Sequence, residues 1–168
     1  MTAPVAKALL EKLAARVERA AAEKATAVPA SSPSVPGVWR LFTDGAARGN
    51  PGPAGAGAVL VSPDGQQERL GKFLGVQTNN VAEYEGLLLG LRRARALGVT
   101  SLEVLADSEL MVRQLNGEYR VKAPGLLPLF EQARGLMREF ASVTARHVRR
   151  EENKAADEMS NRAIDERM

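Results

Sequence analysis

Residues 38–62 read VWRLFTDGAARGNPGPAGAGAVLVS. The stretch opens on strand formers, VWRLFTD (38–44), and closes on a second apolar run, GAGAVLVS (55–62), with a Gly/Pro-rich loop between them. Pro63-Asp64-Gly65 is then a turn signal into a third strand near 66–75. Farther on, Tyr84, Leu87, Leu88, Leu91 and Ala94 recur at helical spacing over about 80–97, and Gly98 sits where a C-terminal cap belongs. SLEVLAD (101–107) is a fourth strand, followed by a short helix over 108–115. Leu126, Leu129, Phe130, Ala133, Leu136, Met137 and Phe140 outline another helix, SVTARHV (142–148) a fifth strand, and Lys154 to Glu166 a closing helix. Three consecutive strands, a helix, and then strands alternating with helices predict an α/β fold: a five-stranded mixed sheet with helices packed on it. The helix between the third and fourth strands allows a parallel crossover there.

Upstream, VPASSPSVPG (28–37) is rich in proline and serine and uncharged, which marks a linker. Residues 5–25 place Leu9 or Leu10, Leu13, Val17 and Ala20/Ala21 at helical spacing among charges. The chain thus divides into an amphipathic helical extension (1–27), a linker (28–37) and a domain (38–168) long enough for its own core. The absence of cysteine excludes disulfides and thiolate metal sites. Lys7, Glu11 and Lys12 interrupt any signal-peptide core, and no run approaches the ~20 apolar residues that cross a bilayer. The expectation is a soluble, cytoplasmic protein. A net charge of +3 does not identify a nucleic-acid binder by itself. Arg92, Arg93, Arg95, Arg149, Arg150 and Lys154 are candidates for a surface that tracks a phosphate backbone, with ordinary solvated charge as the competing reading of each.

Four acids stand out by their surroundings, and each also has an ordinary role available. Asp44 ends the first strand before a loop whose glycines allow close backbone approach to a bulky ligand, yet Asp-Gly commonly just opens a turn. With Asn80 as N-cap, Glu83 would be the third helical residue and a capping-box partner; the same position puts a carboxylate where Thr78-Asn79-Asn80 supplies polar groups for a phosphate or a base. Asp107 follows a nearly all-apolar strand, at the end where open sheets place ligands, but could equally cap the next helix. Asp157, in the first turn of the last helix, is favoured there by the macrodipole alone.

Together the flanks resemble type 1 ribonuclease H from about Val38 to the C-terminus. Asp44-Gly45 precedes Gly49-Asn50-Pro51-Gly52, Glu83 follows Thr78-Asn79-Asn80, Asp107 precedes Ser108, and Asn153 lies four before Asp157. The resemblance implies a ribonuclease H-like fold and hydrolysis of the RNA strand of RNA–DNA hybrids without sequence preference. Two Mg²⁺ ions, with Mn²⁺ able to substitute, would activate water and hold the attacking and leaving oxygens. Asp44 would bridge both ions, Glu83 and Asp107 would hold one, and Asp157 the other. Two carboxylates ~4 Å apart repel by about 4 kcal/mol at an effective dielectric near 20, so four converging acids should demand metal or take up protons. The backbone around Gly45 and Ala47, with Glu83, would read the 2′-hydroxyl, while Asn50, Thr78, Asn79 and Asn80 would contact the DNA strand.

The chain departs from better-known bacterial members in its loop and in a base-contacting position, and from some other relatives in its extension. Only Asn116 to Pro124 separates the short helix from the next, so their basic handle is missing and weaker hybrid binding is expected. Glu109 replaces a glutamine that contacts bases. The extension has no Phe, Tyr or Trp to stack on bases, so residues 5–25 are read as a helix for self-association or protein docking. For the residue that assists catalysis, the short-loop subgroup points to Arg150; His147, ten residues before Asp157, is the alternative. Cleavage of duplex RNA, a non-catalytic nucleic-acid-binding scaffold and a transposase core are the competing functions. All four acids argue against the scaffold, and the Gly-Asn-Pro-Gly and Thr-Asn-Asn flanks against the transposase.

Overall fold

The computed structural model describes residues 37–168; the expected extension (1–27) and all of the linker but Gly37 lie outside the described residues. The elements are β1 (Trp39–Ala47), β2 (Gly52–Val61), β3 (Gln67–Gln77), α1 (Asn79–Ala96), β4 (Ser101–Ala106), α2 (Glu109–Leu115), α3 (Leu127–Met137), β5 (Ser142–His147), a 3₁₀ turn (Arg150–Glu152) and α4 (Lys154–Glu166). The sheet order is β3-β2-β1-β4-β5. β1–β2 and β2–β3 are antiparallel, whereas β1–β4 and β4–β5 are parallel, as the crossover through α1 allows.

Alternation along β1 sends successive side chains to opposite faces. Leu41 joins Tyr84, Leu87, Leu88 and Leu91 of α1, with Ala133 and Leu136 of α3. Phe42 joins Val59, Leu105 and the α4 residues Ala155, Ala156 and Met159. With helices on both faces, β1 is buried along most of its length, which explains its near-continuous apolar sequence. Tyr84 keeps its polar end paired inside this core, its hydroxyl donating to Gln114 Oε1 at 2.5 Å.

The Gly/Pro-rich stretch is not the long loop its composition predicts. β1 runs through Ala47 and β2 starts at Gly52, leaving only Arg48–Pro51 between them. Cross-strand register continues from Asp44↔Gly57 up to Ala47↔Ala54. The glycines facing the helices make room for those helices rather than for a ligand. A Cβ on Gly86 would stand 2.3 Å from Asp44 O, and one on Gly57 2.4 Å from Ala156 O and 2.5 Å from Ser160 N. Bare backbone thus lets α1 and α4 rest directly on β1 and β2, and both helices carry acids to the same end of β1.

Candidate active site

Asp44 lies near the C-terminal end of β1, and Asp107 one residue past the end of the neighbouring parallel strand β4. Glu83 comes from α1, three residues before the Gly86 contact with Asp44. One carboxylate oxygen from each of Asp44, Glu83 and Asp107 lies within 4.8 Å of the others. The ordinary roles open to two of these acids belong to neighbours. Thr78, not Asn80, caps α1, its Oγ1 accepting from Val81 N at 3.3 Å, so Glu83 is the fifth helical residue and makes no capping box. Ser108 caps α2 through Met111 N, leaving Asp107 free of that task.

Burial then makes the cluster expensive. Asp44 is 5% exposed and Glu83 7%. Loss of hydration pushes Glu83 up to about 9, the charges of Asp44 and Asp107 push the same way, and the Gly45 N–H and the Arg150 guanidinium pull back. Burial likewise lifts Asp44 to about 7; a hydrogen bond from Ser160 opposes this, and the charges of Asp107 and Asp157 add to it. Asp107 is also raised, again by burial first, with Arg150 and Asn153 lowering it. Glu83 Oε2 is buried without a hydrogen-bond partner. An orphaned carboxylate oxygen beside two further carboxylates fits a hard divalent cation of the Mg²⁺ type.

α4 completes the site from the other face. Asn153, buried at its start, donates from Nδ2 to Thr43 O at 2.9 Å and so ties the helix to β1. Asp157, in the first helical turn, lies close enough to act electrostatically on both Asp44 and Asp107, but outside the tight group of three. Ser160, one turn on, donates to Asp44 Oδ2 at 2.7 Å. Arg150 sits on the 3₁₀ turn with its side chain 86% exposed and Nε 4.0 Å from Asp107 Oδ2. His147 ends β5, exposed and paired in register with Ala106.

The reverse transcriptase-like family matches residues 42–163. The bifunctional protein Rv2228c of Mycobacterium tuberculosis is 45% identical over 127 residues, 74% of this chain and 35% of that protein. The solved N-terminal RNase H domain of Rv2228c has 43% identity and a TM-score of 0.75, covering 77% of this chain and 94% of that one. RNase H1 of the halophilic archaeon Halobacterium salinarum has 39% identity and a TM-score of 0.74, covering 77% of this chain and 98% of that one. The chain belongs to the ribonuclease H family. A further member, LC11-RNase H1, solved in complex with an RNA/DNA hybrid, has 40% identity and a TM-score of 0.73, covering 77% of this chain and 98% of that chain. The chain spans about a third of the length of the mycobacterial relative, 35%.

Within this ribonuclease H domain the residues expected to touch substrate hold definite places. Gly45 is buried, its N–H directed to Glu83, and Ala47 is half-buried at the end of β1. Asn50, Thr78, Asn79 and Asn80 are all exposed and adjoin one another, since Asn79 N donates to Asn50 Oδ1 at 3.0 Å. Besides Arg150 beside Asp107, three of the six candidate backbone-binding cations have partners away from the acidic cluster. Arg93 pairs with Glu68 and Arg95 with Glu139, each at 3.0 Å, and Arg92 bonds Gln132. Ser160 was not foreseen; its signal was its place three residues after Asp157, on the same helix face.

Proposed function

We propose that the chain is a metal-dependent endoribonuclease that hydrolyses the RNA strand of RNA–DNA hybrids without sequence specificity. The observation that carries this reading is the group formed by buried Asp44 and Glu83 with half-buried Asp107, with oxygens within 4.8 Å of one another and one of them orphaned. Asp44, Glu83 and Asp107 would hold one Mg²⁺ and Asp44 with Asp157 a second, Mn²⁺ being able to replace either. When bound, the ions supply a nucleophilic water at neutral pH and charge for the attacking and leaving oxygens. The chain does the rest. Burial first, then the charges of Asp44 and Asp107, favour the protonated form of Glu83 in the metal-free protein, and a bound cation would favour its carboxylate. Arg150, exposed beside Asp107, offers a mobile positive charge to the scissile phosphate and the departing strand, and is assigned the assisting role ahead of His147.

Selectivity for RNA rests on contact of the 2′-hydroxyl with Glu83 and the backbone at Gly45 and Ala47. The exposed group of Asn50, Thr78, Asn79 and Asn80, tied together by the Asn50–Asn79 bond, holds the DNA strand. Residues 5–25 are proposed, on sequence alone, as a helix for self-association or docking. A cytoplasmic location is proposed from the cysteine-free composition.

The test is cleavage of one labelled RNA strand presented alone, paired with DNA and paired with RNA, with Mg²⁺ or Mn²⁺ and an Asp44→Asn control. Cutting of the hybrid alone, lost in the control, is the expected result. Cutting of duplex RNA as well would widen the substrate class. Failure of the pure full-length chain to cut with either metal would overturn the reading.

A further inference from the structure

We infer that Ser160 is a positioning residue that presents the Asp44 carboxylate to the divalent cations, an inference that rests on the proposed metal centre. Ser160 is completely buried, and its Oγ lies 2.7 Å from Asp44 Oδ2 and 2.9 Å from Asp157 O. A serine hydroxyl has one proton to donate, and an ionised carboxylate is a stronger acceptor than a peptide carbonyl. The proton therefore goes to Asp44, with the Asp157 carbonyl as its fallback partner.

Neighbouring backbone fixes the donor in place. A Cβ on Gly57 would stand 2.5 Å from Ser160 N, and one on Gly55 2.3 Å from Ser160 O, so this turn of α4 lies flat on β2. The backbone of Ser160 is thereby held against β2, and its hydroxyl can leave Asp44 only by rotating about χ1. The bond occupies one lone pair of Oδ2 and so orients the carboxylate, whose other contact is with the Asp157 side chain. Hydrogen bonds of this kind fix the orientation of a ligating carboxylate, and losing one typically costs ten- to a hundredfold in metal affinity or activity.

The test is calorimetric titration of the metal-free full chain with Mn²⁺, comparing wild type with Ser160→Ala, Asp44→Asn, Asp157→Asn and the double variant Asp157→Asn/Ser160→Ala. Ser160→Ala deletes one oxygen and adds nothing, and thermal unfolding in EDTA checks that each variant is folded. The expected result is a loss of about tenfold in Mn²⁺ affinity for Ser160→Ala, repeated in the Asp157→Asn background, where Asp44 is still present. Wild-type affinity in Ser160→Ala, with binding reduced in Asp44→Asn, would overturn the inference and leave the metal centre standing. Disappearance of the effect in the Asp157→Asn background would also overturn it, because Ser160 would then act by placing Asp157. Equal Mn²⁺ binding by wild type and Asp44→Asn would remove the proposed centre itself.

Discussion

Replacing Glu83 with glutamine should destroy metal binding and yet stabilise the metal-free protein, by an amount that depends on pH. In the unfolded chain Glu83 loses its proton near 4.5; in the folded, metal-free protein it keeps it up to about 9. Between those values the native state binds more protons than the unfolded state, so stability falls as pH rises. Holding a proton at pH 7 that would otherwise be lost above 4.5 costs about 3 kcal/mol, and at pH 9 about 6 kcal/mol. Glu83→Gln removes this cost. The new amide must find partners in a buried site, which takes back about 1 kcal/mol or more. The variant should therefore be slightly less stable than wild type at pH 4.5. At pH 7 it should be more stable by about 2 kcal/mol, roughly 5–10 °C in midpoint for a domain of this size. The gap should widen at pH 9. Asp44, raised to about 7, leaves a shared slope in both proteins over its own range. The assay is thermal unfolding in EDTA at pH 4.5, 7 and 9, repeated with Mn²⁺, which should stabilise wild type and not the variant. Parallel pH curves for the two proteins would refute the argument, because they would mean that Glu83 is ionised in the folded site.

Three more substitutions probe the rest of the site. Asp44→Asn should abolish cleavage with either metal while the fold persists, since volume is kept and Ser160 retains the Asp157 carbonyl as acceptor; circular dichroism and a hybrid-cleavage assay check both halves. Gly57→Ala drives a Cβ to 2.4 Å from Ala156 O, so it should cost about 1–3 kcal/mol by unfolding and also lower activity by moving the helix that carries Asp157 and Ser160. Arg150→Ala should lower kcat by tenfold or more with an unchanged unfolding midpoint, the side chain being 86% exposed, whereas His147→Ala should stay near wild type. The reverse ranking would move the assisting role to His147.

The order of elements was legible because periodicity and turn chemistry are local. What was not legible depended on contacts across the chain. Sequence reports that glycines 45 to 57 lack a Cβ, but not what fills the space; composition read as a ligand loop is two strands with helices lying on their glycines. Thr78, Asn79 and Asn80 are all competent caps, and sequence cannot rank them. In the structure Asn79 N is taken by Asn50, a partner 29 residues away, and the cap falls to Thr78. That shift of two positions decides what Glu83 does. Arg93 and Arg95 looked available because Glu68 and Glu139, which pair with them, lie 25 and 44 residues off.

The same detail explains why readings that competed in the sequence separate in the fold. Each acid could be excused by an ordinary task, and for two of them the structure gives that task to a neighbour. Thr78 caps α1 in place of Glu83, and Ser108 caps α2 in place of Asp107. Asp44 opens no turn, since β1 continues three residues beyond it. Only Asp157 keeps its favourable place in a first helical turn. The three relieved of structural work are the ones whose oxygens converge, two of them nearly buried and one with an atom lacking any partner. A fold selected for stability alone would replace such a group with neutral or apolar side chains at a gain of several kcal/mol. Elsewhere in the core Tyr84 and Gln114 satisfy one another, while Arg40 Nη1 and Thr43 Oγ1 on β1 are also buried without a hydrogen-bond partner. At this cluster, unlike at those single atoms, added cations would turn mutual repulsion into ligation.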